Sequence, residues 1–158
     1  MTPLTIANVK PDMALPELRF DVTATRLISG ALASRDFSPL HHDKNYVVDV
    51  VGQRNIFANT QFQAALFERY LNDWSGPLGR VVRMRFAMKS SIFAGDIVLI
   101  AGTVNEVRTS CECGAAVDLT IKMLVGEGLV TACDVLYALP AVEGDNPWHR
   151  CGKNWLQT

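Results

Sequence analysis

The chain has 158 residues, 49% hydrophobic and 20% charged: long enough for one domain with a real core and too short for two comfortable ones. A formal net charge of −1 gives no reason to expect nucleic acid or an anionic membrane surface as partner. Residues 1–19 lack the continuous apolar stretch of a signal peptide, and no run approaches the roughly 20 apolar residues of a membrane span, so a cytoplasmic protein is expected.

Residues 1–16, with Pro3, Pro11 and Pro16, read as an extended lead-in. Residues 18–22 alternate apolar and polar and predict a first strand; Thr23 or Thr25 caps a short helix through Ile28, Leu32 and Ala33, ending before Asp36. A loop follows over 36–41, then a weakly helical stretch over 43–51 closed by Gly52. The clearest helix covers 59–74. Asn59 and Thr60 are the candidate N-caps, Phe62, Ala65, Leu66, Tyr70 and Trp74 recur at helical spacing, and Ser75-Gly76-Pro77 stops it. The aromatics of this helix are expected in the core.

Everything after it reads as strand. Val82, Met84 and Phe86 alternate with Arg83, Arg85 and Ala87, and an Ala94-Gly95-Asp96 turn leads into 97–107. Val117, Leu119, Ile121 and Met123 alternate with Asp118, Thr120 and Lys122, the pattern of a half-buried antiparallel strand, and Gly126-Glu127-Gly128 hands over to 129–139. One long helix followed by three or four long consecutive strands buries both faces most economically when a curved antiparallel sheet wraps the helix. The expected class is therefore α+β, a single hotdog fold over 17–139. The tail, 140–158, carries Trp148 and Trp155 and is expected to pack on a partner subunit or fold back over the sheet.

Chemistry concentrates in Asp36-Phe-Ser-Pro-Leu-His41, with Asp43 just beyond. A carboxylate and an imidazole on one short loop, bent by Pro39, can share and activate a water molecule. The start of the long helix near Asn59 offers free backbone N–H groups and the positive end of the helix dipole, so it can hold negative charge on a thioester oxygen, with Ala58 beside it as a substrate contact. Together they provide what water addition to a double bond conjugated to a thioester requires. Taken by itself, however, such a loop is more often a turn carrying a solvated acid.

Other polar groups have simpler readings. Adjacent side chains of His41-His42-Asp43 point apart on an extended loop, and no metal site is expected. Asp145 and His149 repeat the acid and imidazole without a following helix and are read as a turn. Arg80, Arg83, Arg85 and Lys89 form either the solvated face of a strand or a phosphate contact at the mouth of a site, with Arg83, Arg85 and Lys89 the candidates for binding coenzyme A. Cys111, Cys113, Cys133 and Cys151 complete no zinc pattern and, in a chain expected to be cytoplasmic, are expected to be reduced, mostly structural thiols.

The loop resembles the signature of the MaoC-like enoyl-CoA hydratases, Asp-x-Asn-Pro-(aliphatic)-His, and the elements from 18 to 139 follow that family's order. Ala31-Leu-Ala-Ser-Arg-Asp-Phe37, His41-His-Asp43, Asn55-Ile-Phe-Ala-Asn59 and Asp73-Trp-Ser-Gly-Pro77 are similar to the small catalytic subunit of bacterial steroid side-chain enoyl-CoA hydratases, in which a catalytic hotdog subunit pairs with a MaoC-like subunit lacking the Asp/His pair. The resemblance implies that Asp36 and His41 are catalytic, that the backbone N–H near Asn59 is the oxyanion donor, and that the substrate is an acyl-CoA, with no further cofactor. Ser38 departs from the family's Asn, and Asn59 stands where many relatives have Gly. A single hotdog leaves a sheet edge open, so a homodimer, or a heteromer with a second MaoC-like subunit, is expected. A non-catalytic partner subunit and an acyl-CoA thioesterase are the alternative functions.

Overall fold

The computed structural model describes residues 4–111 and 114–150; Cys113, Cys151 and Trp155 lie outside them, as does the Cys111 side chain. Leu18–Asp21 forms β1, and Ala24–Ala33 forms α1, capped by Thr23, whose side chain accepts the Arg26 N–H at 3.2 Å. The long helix α2 spans Thr60–Ser75. Its C-cap Gly76 has φ 78°, a conformation open to glycine, and returns its N–H to the Asn72 carbonyl at 2.9 Å. Four strands follow: β2 (Arg80–Met88), β3 (Ile97–Cys111), β4 (Gly114–Val125) and β5 (Gly128–Ala138). All pair antiparallel in the order β1-β3-β4-β5-β2. This is the hotdog arrangement, with α2 against the sheet.

Register explains the core. Met84, Val135 and Leu119 are cross-strand neighbours on β2, β5 and β4, as are Phe86, Cys133 and Ile121, so the apolar half of each alternating strand faces one way. Against them α2 presents Gln63, Leu66, Phe67, Tyr70 and Leu71. The buried stripe is rotated from the one the spacing predicts: Ala65 is exposed and the polar Gln63 is buried. Cys133 is a free, buried thiol, pushed up to about 12 first by burial and then by the charge of Asp134, which keeps it unreactive at neutral pH.

The extended lead-in adds Ile6, Val9 and Leu15 to the core and lies along β3, with the Leu15 N–H on Gly102 O at 2.9 Å and the Val104 N–H on Met13 O at 2.9 Å. The stretch read as weakly helical contains a π-helical turn, Tyr46–Val50. Through Arg150 the tail folds back on the start of β2: the Trp148 indole N–H donates to Pro77 O at 3.2 Å, and the Arg80 guanidinium lies 5.0 Å over the Trp148 ring. Asp145 accepts the Ala141 N–H at 2.7 Å and Asn146 accepts the Trp148 N–H at 3.0 Å, so this segment is a capped turn.

The two helices meet through Gly30, where an added Cβ would stand 2.5 Å from a Phe62 ring carbon. Alanine in a helix interior normally gains about 1 kcal/mol over glycine, whereas overfilling a packed contact costs about 1–3 kcal/mol. Gly30→Ala is therefore expected to lower the unfolding free energy by ~1 kcal/mol in urea titration; a rise toward the helix-propensity gain would mean that the α1–α2 contact is not tight.

Candidate active site

The loop after α1 is built by local hydrogen bonds. Arg35 turns the chain with φ 55°, and the Asp36 N–H returns to Ala31 O at 2.9 Å. Asp36 then folds its own carboxylate onto the loop, Oδ1 accepting the Ser38 N–H at 3.2 Å. Pro39 opens a 3-10 turn, Pro39–His41, at the position where a missing N–H costs nothing. Asp43 accepts the Tyr46 N–H at 3.0 Å, so this second acid caps the next turn.

His41 is buried to 8% exposure and its two ring nitrogens have different surroundings. Nδ1 lies 2.7 Å from the Phe57 carbonyl, which can only accept, so Nδ1 carries the proton. The imidazole also meets the Phe57 ring edge-on, centroids 5.4 Å apart. In the neutral ring, Nε2 is left as an acceptor, 3.4 Å from Asp36 Oδ2. Two acceptors at that separation are suited to share one water rather than to bond each other.

Phe57 is held firmly because its segment pairs with the turn before β3. The Ala58 N–H donates to Ile92 O at 2.8 Å and the Ala94 N–H to Ile56 O at 2.9 Å. Arg54 grips Asp96 through two contacts of 2.6 and 2.8 Å and lies 4.2 Å over the Phe93 ring, while Asp96 Oδ2 accepts the Phe93 N–H at 2.8 Å. The carbonyl that orients His41 is thus anchored on the sheet.

Asn59 has a larger part than a backbone donor alone. Its Oδ1 caps α2 by accepting the Phe62 N–H at 2.8 Å, and its Nδ2 donates to Asp36 Oδ2 and Ser34 Oγ, each at 3.0 Å. The side chain therefore joins the helix start to the Asp36–His41 loop, a role that spacing alone does not reveal. Its backbone N–H meets no acceptor among the described residues. The Asn59 hydrogen bond, followed by that from the Ser38 backbone, holds the Asp36 carboxyl below its ordinary value of 3.8 despite partial burial; His41 or His42, when protonated, would act in the same direction.

A cavity of about 360 Å³ opens against these groups. Asp36, His41, Ala58 and Asn59 line it, and Lys89 contributes from the end of β2. Gln63 and Met88 also line it, and neither carries a signal in the sequence beyond its helix or strand position. Arg83 and Arg85 are not in this cavity. Along β2 they alternate with the core-facing Met84 and Phe86, and they line a separate groove on the outer face with Asn105, Asp118 and Asp134. The period-two alternation that makes β2 a strand therefore separates Arg83 and Arg85 from the place expected for them.

Removing the Asn59 amide tests this network. Asn59→Ala is expected to raise the Asp36 titration midpoint, followed by its carboxyl-carbon NMR shift, and to cost about 0.5–2 kcal/mol of stability through the lost cap. Because the depressed ionisation stabilises the fold above the unfolded-state value and that stability fades as pH falls through the folded-state value, the wild-type advantage from this bond should shrink in acid. An unmoved midpoint would contradict the assignment.

No protein-family model matches the sequence. The chain is 36% identical over 94 residues, 60% of its own length and 72% of the relative's, to the beta subunit of the 3-oxo-4,17-pregnadiene-20-carboxyl-CoA hydratase of Mycobacterium tuberculosis. It superposes on a chain of the ChsH1–ChsH2 complex from the same organism with TM-score 0.76 and 27% identity, covering 82% of this chain and 98% of that one. It also superposes on the MaoC-like dehydratase of Rhodospirillum rubrum with TM-score 0.71 and 17% identity, covering 86% and 97%, a likeness of fold alone. With a curated relative matched over most of its length and a hotdog frame shared with both structures, the chain belongs to the MaoC-like hotdog hydratases.

Proposed function

We propose that this protein is an enoyl-CoA hydratase that adds water to a trans-2-enoyl-CoA to give a 3-hydroxyacyl-CoA. The observation that carries the reading is the fixed pair of acceptors, His41 Nε2 and Asp36 Oδ2, 3.4 Å apart on the wall of a cavity that also holds the Asn59 helix start. A water donating to both is oriented toward the β-carbon. As its oxygen bonds to that carbon, one of the pair takes its proton, and a proton passes to the α-carbon. The base is restored at that step, so water is consumed and nothing else. Negative charge gathers meanwhile on the thioester oxygen, where the free Asn59 N–H and the positive end of α2 stabilise it.

The lowered ionisation of Asp36 suits it to hold and orient the water as a charged hydrogen-bond acceptor. Ala58 and Lys89 are the substrate contacts in this reading, Ala58 beside the thioester and the Lys89 ammonium toward the phosphates of coenzyme A at the cavity rim. The steroid-type name of the curated relative supports a bulky polycyclic acyl group, and the subunit pairing named for the solved complex supports a second MaoC-like subunit as partner, with a homodimer as the simpler assembly. Coenzyme A is part of the substrate, so no separate cofactor is required, and the reaction is cytoplasmic.

Asp36→Asn and His41→Ala should each lower kcat for hydration by at least about 10²-fold, while circular dichroism shows both folded and Asp36→Asn unfolds somewhat earlier, because its amide nitrogen replaces one of the two accepting oxygens. Near-normal turnover in either folded variant would remove that residue from the mechanism, and near-normal turnover in both would point to a non-catalytic subunit contaminated by an active one.

A further inference from the structure

Gln63 is a polar side chain that the chemistry above leaves without a task. It is 1% exposed, sits on α2 one turn beyond Asn59 and lines the same cavity as Asp36 and His41. Its neighbours set its orientation. Oε1 accepts the Thr131 hydroxyl at 2.6 Å in a buried bond, and Nε2 lies 3.2 Å from Met88 Sδ. A thioether sulfur accepts but cannot donate, so turning the amide over would set its oxygen against that sulfur. Nε2 therefore carries a second N–H, which meets no acceptor among the described residues. A buried donor in that state bears a desolvation penalty, and the cavity is the side from which an acceptor can come.

Position narrows what that acceptor is. Gln63 stands four positions beyond Asn59, about 6 Å along the helix axis. With a thioester oxygen at the Asn59 N–H, Gln63 stands level with the acyl carbons past the reacting β-carbon. Beyond it on the helix Leu66 and Phe67 are buried, and Phe67 packs on Phe86 with centroids 5.6 Å apart, whereas Thr60, Lys89, Ser90 and Ser91 line other parts of the cavity. A buried donor discriminates strongly, because a ligand without a matching oxygen leaves it unpaired.

We propose that Gln63 is a specificity-determining residue whose free Nε2–H donates to a hydroxyl or keto oxygen on the acyl group, beyond the double bond, so that the site prefers oxygenated acyl thioesters to plain hydrocarbon ones of equal length. The inference rests on the reading that this cavity takes an acyl-CoA with its thioester at Asn59. Binding of saturated acyl-CoAs, which cannot be hydrated, tests it independently of turnover.

Hexanoyl-CoA and its derivatives hydroxylated at the fourth, fifth or sixth carbon would be titrated into the full-length protein by calorimetry. At least one hydroxylated ligand should bind about tenfold more tightly than hexanoyl-CoA, and Gln63→Leu or Gln63→Met should remove that preference while holding the hexanoyl-CoA affinity within about threefold. If the residue only stitches α2 to β2 and β5, the substitutions will lower stability and leave the ratio unchanged. A wild type that binds all four ligands equally, or a folded variant that keeps the preference, overturns the proposal. A preference that depends on Gln63 in a protein that hydrates no enoyl-CoA would uphold the site and refute the hydratase reading alone.

Discussion

The amide of Asn59 joins three parts of the molecule that lie far apart in sequence. Its oxygen closes the first turn of α2, and its nitrogen reaches the Asp36 carboxylate and the Ser34 hydroxyl at the end of α1. Hydrogen bonds to an ionised carboxylate are among the stronger polar contacts in proteins, and this part-buried one is joined by the Ser38 N–H on the other oxygen. Together they fix where the carboxylate sits and which oxygen faces His41, and they favour its ionised form. A glycine at position 59 would supply a backbone N–H but none of these links.

The histidine is positioned from the opposite direction. Its Nδ1 is held by Phe57 O, and Phe57 is held by main-chain pairing with the turn before β3, reinforced by the Arg54–Asp96 ion pair. One catalytic candidate is thus tied to the helix and the other to the sheet. The packing of α2 on the sheet sets the 3.4 Å between them, so the core and the site share one dependence. Gly30 matters for the same reason: close approach of α1 to α2 carries the Asp36 loop to within reach of the helix start.

Much of this was legible in the residues. Alternation marks β1, β2 and β4, the Thr23 and Asn59 caps mark both helices, and Gly76 followed by Pro77 marks the end of α2. The Asp36–His41 loop is legible because its acid, proline and imidazole are contiguous. What was not legible depends on three-dimensional register. Arg83 and Arg85 lie on β2, where pleating turns them to the outer face, whereas Lys89, just past the end of that strand, lines the cavity. Gln63 is polar and on a helix face that spacing alone would expose, but the observed rotation of α2 buries it against Thr131. The lead-in offers too few apolar residues in any period to predict that Ile6, Val9 and Leu15 join the core.

The central claim is that the Asp36–His41 pair activates water for addition to a carbon–carbon double bond. The most direct measurement is incubation of the protein with a trans-2-enoyl-CoA in ¹⁸O-labelled water, with the purified chain alone and with a co-expressed MaoC-like subunit, followed by mass spectrometry of the product. Hydration places ¹⁸O in a 3-hydroxyl group with coenzyme A still attached. Label in a free carboxylate, accompanied by released coenzyme A thiol, would contradict it and identify hydrolysis instead.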